Sequence, residues 1–178
     1  MTRVIFMCGP AGSGKSVMAR QLASEGMTRL SFDEEAWSRG IRSQPLDEEA
    51  RSEIETVLRL RLVRLVTAHT DVVLDFSFWS RRMREDYRDI LRPLGVEPET
   101  IYLATPREVA LARVGARVGH SANEVQLTPE LAAVYFDHFE VPTVDEGPLT
   151  VVDWPAPKGR SSGETVEVEN GRGGVLGE

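Results

Sequence analysis

Eight residues near the start constrain this chain more than any others: Gly9-Pro10-Ala11-Gly12-Ser13-Gly14-Lys15-Ser16. They match G-x-x-x-x-G-K-[ST] at every fixed position. With glycine near 7% of residues in proteins generally, a chance match in a chain of this length is on the order of one in a hundred. Context narrows it further. Residues 3–8 read as an apolar strand buried on both faces of a parallel sheet, and residues 15–25 as a helix with Met18, Ala19, Leu22 and Ala23 at core spacing. A strand, a glycine-rich turn and a helix in that order aim backbone N–H groups and the positive helix end at phosphate oxygens. The expected cradle is Gly9, Ala11, Gly12, Ser13, Gly14, Lys15, Ser16 and Val17, with Lys15 reaching the terminal phosphates and the Ser16 hydroxyl ligating Mg²⁺.

The rest of the chain alternates the two periodicities. Residues 28–32, 72–75, 100–104 and 149–152 read as strands, and residues 33–40, 47–69, 80–94, 106–118 and 129–140 as helices. Strands separated by such helices imply right-handed crossovers, hence an α/β fold with a five-stranded, mostly parallel sheet and helices on both faces. The 178 residues suit one domain, placed at residues 1–154. Residues 155–178 hold 6 of the 15 glycines and no aromatic residue, so a disordered tail is expected there. The balance of 21 Lys+Arg against 28 Asp+Glu gives −7, which works against loose adhesion to nucleic acid or anionic lipid. A lone cysteine, Cys8, allows no intrachain disulfide, and the first apolar run is too short for a signal peptide or a membrane span. A cytosolic protein is the expectation.

Phosphate binding does not name a reaction. The chain carries no D-x-x-G switch and no N-K-x-D guanine motif, which points away from a GTPase and toward a compact phosphotransferase. Such an enzyme needs a base, a carboxylate supporting the metal and a mobile arginine. Asp33, after the second strand, stands at the edge where ligands of parallel sheets collect, so it suits a general base. It equally suits an acidic first-turn residue of the next helix, where Ser31 and Glu34 have capping-box spacing. Asp75 ends the apolar run Val72-Val73-Leu74-Asp75, as a carboxylate holding Mg²⁺ or a substrate-facing arginine would; a turn cap is the bland alternative.

Beyond Asp75, Phe76, Phe78 and Trp79 suit stacking against a planar or sugar-like acceptor, or core packing. Arg84 and Arg88, beside Glu85 and Asp89, read as a solvated helix face, whereas Arg81 and Arg82 at the helix start are better placed to see the site. Arg113 and Arg117, four residues apart and flanked by Gly115 and Gly119, form a candidate closing lid. His69, His120 and His138 lack metal-ligand spacing.

These residues, in this order, resemble the small P-loop kinases that include zeta toxins, the kinase domain of polynucleotide kinase and chloramphenicol phosphotransferase. The resemblance covers roughly residues 3–152 and also rests on Phe139-Glu140-Val141-Pro142 followed by Glu146. It implies a P-loop NTPase fold, nucleoside-kinase-like with a helical lid, ATP and Mg²⁺ as cofactors, and Asp33 as general base. By the same resemblance Arg117 would contact the ATP phosphates and Arg113 would lie near the adenine, with a base pocket near residues 141–144. Relatives usually continue with a helix after the last strand, and residues from Pro155 onward do not look helical. The reaction expected is transfer of the γ-phosphate of ATP to a hydroxyl of a small molecule, an antibiotic-like compound being one such acceptor. The alternatives are a polynucleotide 5′-kinase and a non-catalytic ATP-binding regulatory module.

Overall fold

The computed structural model of the chain describes residues 1–116 and 126–153. Arg117, Gly119, His120 and the expected tail from Pro155 lie outside the described residues.

Five strands, β1 (Val4–Cys8), β2 (Thr28–Ser31), β3 (Val72–Asp75), β4 (Glu99–Ala104) and β5 (Leu149–Asp153), form one sheet in the order β2-β3-β1-β4-β5. Every pairing is parallel. The chain leaves β1 toward β2, returns to β3, then crosses β1 to reach β4, which places a topological switch point beside the central strand.

Alternation along β1 explains its unbroken apolar sequence, since both faces are covered. Ile5 and Met7 join Val73, Ile101, Leu103 and Ala19 of α1 (Lys15–Ser24) on one face. Val4, Phe6 and Cys8 face the other way, against Ile54, Leu58, Leu62 and Val66 of α3 (Glu48–Thr67) and Tyr87 and Leu91 of α4 (Arg81–Leu91). Phe6 stacks on Phe78 at 4.4 Å, and Tyr87 meets Phe78 edge-on at 5.3 Å. Phe78 is fully buried, so the expectation that it touches an acceptor is corrected: it belongs to the core.

Helix starts follow the local chemistry read from the sequence. Asp47 caps α3 and Ser80 caps α4 through their side-chain oxygens. The second strand is one residue shorter than the 28–32 expected, because Ser31 Oγ accepts the Glu34 amide and turns Phe32 into the first residue of α2 (Phe32–Ser38). Two further helices, α5 (Arg107–Ala116) and α6 (Pro129–Asp137), pack together beyond β4. No helix among the described residues is long and apolar enough to cross a membrane.

One region departs from the sequence reading outright. Arg84 and Arg88 are buried rather than a solvated face. Arg84 Nε and Nη2 donate to the two Glu146 oxygens at 2.6 and 2.8 Å, and Nη1 donates to the carbonyls of Phe78 and Glu140. Arg88 donates to Glu146 and to Thr100 Oγ1. The nearby Glu85 and Asp89 both pair with Arg92, and Glu85 reaches Arg88 only at 4.0 Å. Their spacing suggested surface pairs, but the partner that desolvates Arg84 arrives from 62 residues downstream.

Candidate active site

The phosphate-loop sequence folds as its glycines require. Gly12 has φ +80°, and a Cβ there would lie 2.2 Å from the Ala110 carbonyl oxygen in α5, so only glycine lets the loop pass that helix. Gly14 caps α1 in the left-handed region at φ 100°. Ser13 is buried beneath the loop, its carbonyl accepting from Thr105 Oγ1. Lys15 Nζ donates to the Pro10 carbonyl at 2.9 Å, lying back across the loop, and Arg113 Nη1 donates to the Gly12 carbonyl at 3.3 Å.

A cavity of about 830 Å³ opens at the carboxyl ends of the strands. Pro10, Ala11, Gly12, Gly14, Lys15 and Ser16 form its phosphate-loop wall. Asp33 and Asp75 line the same cavity, which brings the two expected carboxylates together with the loop. Asp33 is a first-turn acid of α2 and also lines the cavity. Phe32, Phe76, Trp79, Tyr135 and Phe139 supply an aromatic wall, with Arg51 and Glu55 of α3 as charged neighbours. The Gln44 amide donates to the Gln126 carbonyl and the Gln126 amide to the Arg42 carbonyl, both at 2.8 Å. These bonds join two of the cavity's lining segments.

Other expected residues stand apart from this cavity. Gly9 and Ser13 are buried behind the loop and do not line it. Val17 is 46% exposed on α1 and does not line it either. Arg113 reaches the loop only through the Gly12 carbonyl among its described hydrogen bonds, and Arg117 is outside the described residues. Arg81 points elsewhere, pairing with Asp145 at 2.7 Å, and Arg82 lines no part of the cavity. Of the three aromatic candidates, Phe76 and Trp79 line it and Phe78 does not. His138 reaches the wall, its ring against the Val134 carbonyl. The expected base pocket near residues 141–144 is absent from this lining, and Val141 and Val144 are exposed.

Sequence reasoning missed Arg29. Its Nε and Nη2 donate to Asp75 Oδ2 at 2.9 and 2.6 Å, and Nη1 pairs with Glu34. Burial works against the charge, but Asp75 and then Glu34 hold the guanidinium's pKa above its ordinary value. The available signal was a charged residue inside a short strand, two positions before the strand's end. Asp75 Oδ1 accepts from Ser16 Oγ at 3.3 Å. A hydroxyl beside a carboxylate oxygen is a hard-oxygen donor pair that fits Mg²⁺ when nucleotide phosphates and waters complete the shell.

Solved structures share this fold. Kti12 of Chaetomium thermophilum in complex with ADP-AlF3 aligns with TM-score 0.67 and 17% identity, over 87% of this chain and 91% of that one. A gluconokinase from Sinorhizobium meliloti 1021 aligns with TM-score 0.63 and 23% identity, over 87% and 84%. APS kinase CysC of Mycobacterium tuberculosis in complex with AMPPNP and APS aligns with TM-score 0.59 and 16% identity, over 87% and 90%. At these identities the likeness is one of fold, and it matches the nucleoside-kinase-like architecture that the motifs implied. No curated protein matches the chain. A family profile does, across residues 4–142, and with the phosphate loop, the first four strands and the strand-end carboxylates inside that span, the chain belongs to the AAA domain family.

Proposed function

We propose that this protein is a kinase that moves the γ-phosphoryl group of ATP to a hydroxyl of a small molecule. The observation carrying this reading is the single cavity in which the phosphate loop, Asp33 and Asp75 meet an aromatic wall. The loop half offers backbone N–H groups and Lys15 to phosphates; the aromatic half offers flat apolar surface to an acceptor. Structures of similar fold hold ADP-AlF3 or AMPPNP, which supports ATP as donor.

In this reading Asp33 accepts the proton of the acceptor hydroxyl as its oxygen attacks the γ-phosphorus, and the bond from that phosphorus to the bridging oxygen of ADP breaks. Lys15, swung from the Pro10 carbonyl to the phosphates, balances charge gathering on the transferred oxygens. Ser16 and Asp75 would hold Mg²⁺, which when bound offsets phosphate charge. Arg113, tied to the loop backbone, and Arg117 are the proposed cationic lid.

A small acceptor is favoured over a polynucleotide by the state of the arginines. Arg3, Arg39, Arg61, Arg81, Arg92 and Arg107 are each paired with a carboxylate, which leaves no continuous basic track among them for a phosphate backbone. The decisive experiment is a metabolite-library screen for ATP consumption with mass detection of phosphorylated products. Acceptor-dependent turnover supports the reading. Efficient labelling of 5′-hydroxyl oligonucleotides from γ-labelled ATP at physiological salt would replace it with the polynucleotide kinase, and tight ATP binding with no acceptor anywhere would replace it with a regulatory module.

A further inference from the structure

Arg29 lies on β2, whose pairing with β3 sets Arg29 opposite Val73 and Ser31 opposite Asp75. Residues two apart on a strand share a face. Val73 packs with Ala19 of α1, so Arg29 and Asp75 lie on the α1 side of the sheet, where Ser16 begins that helix. The guanidinium therefore runs along the sheet toward the strand ends. Two of its nitrogens converge on Asp75 Oδ2, which leaves Oδ1 to face Ser16. The third nitrogen holds Glu34, the residue after Asp33 in the first turn of α2. Both partners are well removed from water, with side chains 12% exposed for Arg29 and 3% for Asp75.

We propose that Arg29 is a positioning residue that presents only Oδ1 of Asp75 beside Ser16 and offsets the carboxylate's charge, so that a divalent cation is captured only together with nucleotide phosphates. The assignment of these oxygens to a cation rests on the kinase reading above. Charge explains the nucleotide requirement. A carboxylate already carrying a guanidinium attracts a cation weakly, and the described residues contain no cluster of three or more His, Cys, Asp or Glu that could hold a metal. Geometry explains the fork. A guanidinium uses two donors on one oxygen and a third on Glu34, whereas a lysine ammonium in its place would keep the charge and lose the rigid orientation.

The test measures Mn²⁺ alone by electron paramagnetic resonance, and AMPPNP affinity with and without Mg²⁺ by calorimetry, on wild type, Arg29→Met and Arg29→Lys. For Arg29→Met, Mn²⁺ alone should bind at least about tenfold more tightly, because Oδ2 is released and no guanidinium repels the cation. The Mg²⁺-dependent gain in AMPPNP affinity should fall by about tenfold or more, as is usual when a ligand's supporting partner is lost. Arg29→Lys should leave Mn²⁺ alone at the wild-type value while lowering the Mg²⁺-dependent gain. Opposed changes in the two readouts are not what a purely structural loss produces. An Arg29→Met that binds Mn²⁺ no more tightly than wild type overturns the proposal while normal AMPPNP binding keeps the kinase reading. If that variant does not fold, Arg29→Lys decides, and a wild-type Mg²⁺-dependent gain in it overturns the proposal. Wild-type protein that binds no AMPPNP with Mg²⁺ present removes both.

Discussion

Two arginine–carboxylate pairs stand in this molecule in similar covalent chemistry and opposite circumstances. Arg84 and Glu146 are sealed off from solvent, and each nitrogen of the guanidinium and each oxygen of the carboxylate has a partner: two bonds within the pair, and a third nitrogen on the Phe78 and Glu140 carbonyls. In the second pair Asp75 lines the cavity, with Arg29 on one carboxylate oxygen and the Ser16 hydroxyl on the other. The first pair joins α4 to the segment entering β5 and fixes the turn that carries Trp79 into the site. The second leaves Asp75 Oδ1 beside the Ser16 hydroxyl at the cavity wall.

The comparison is broken most forcefully at the sealed pair. Glu146→Leu leaves Arg84 as an uncompensated buried charge and should cost about 3–5 kcal/mol of stability. Arg84→Met/Glu146→Leu, replacing both by apolar groups, should recover a good part of that loss. Denaturant unfolding of the three proteins measures it; a single variant as stable as wild type would show that the pair does not anchor this region.

At the cavity the expected effect falls on turnover instead. Asp33→Asn keeps size and removes the proton acceptor, so acceptor-dependent ATP consumption should drop by at least about a hundredfold with the melting temperature and ATP affinity nearly unchanged. Normal phosphoryl transfer with collapsed ATP binding would reassign the base role, with Asp75 next in line.

Acid sharpens the contrast. Burial opposes the Glu146 charge, yet Arg84, the Thr143 backbone and Arg88 hold its carboxyl below the ordinary value near 4.5. A carboxyl depressed in the folded state adds stability that is fully present above that value and is lost as pH falls through the folded one. Stability measured from pH 6 downward should therefore decline more steeply below about pH 4.5 in wild type than in Glu146→Gln. Equal slopes would contradict the assignment.

The smallest effect concerns Cys8, whose thiol lies 3.5 Å from the same Phe78 carbonyl that Arg84 holds. Burial pushes its pKa up to about 11. Alkylation at pH 8 should be slow in wild type and faster in Glu146→Leu, which removes a carboxylate whose charge helps to raise the Cys8 pKa. Equal rates would separate Cys8 from that anchor.

How much of this was legible in the sequence depends on the range of the interactions involved. The phosphate loop, the parallel order of elements and the capping spacing at Ser31 are local, each set by residues within a few positions, and each is read from the chain directly. Asp33 and Asp75 were legible as strand-end acids because the carboxyl edge of a parallel sheet collects its ligands regardless of other detail. Arg84 was misread as solvated because its neighbours Glu85 and Asp89 offered plausible surface partners, whereas burial is decided by what packs over the helix. Arg29 went unseen for the same reason. Its partner Asp75 is 46 residues away in the chain and becomes a neighbour only when β2 pairs with β3. The sequence by itself therefore determined which segments form strands, helices and a phosphate cradle, since backbone conformation answers to nearby residues. Only the tertiary structure decided which charges are buried and which oxygen of Asp75 faces Ser16 rather than Arg29, because desolvation and hydrogen-bond direction belong to the packed chain.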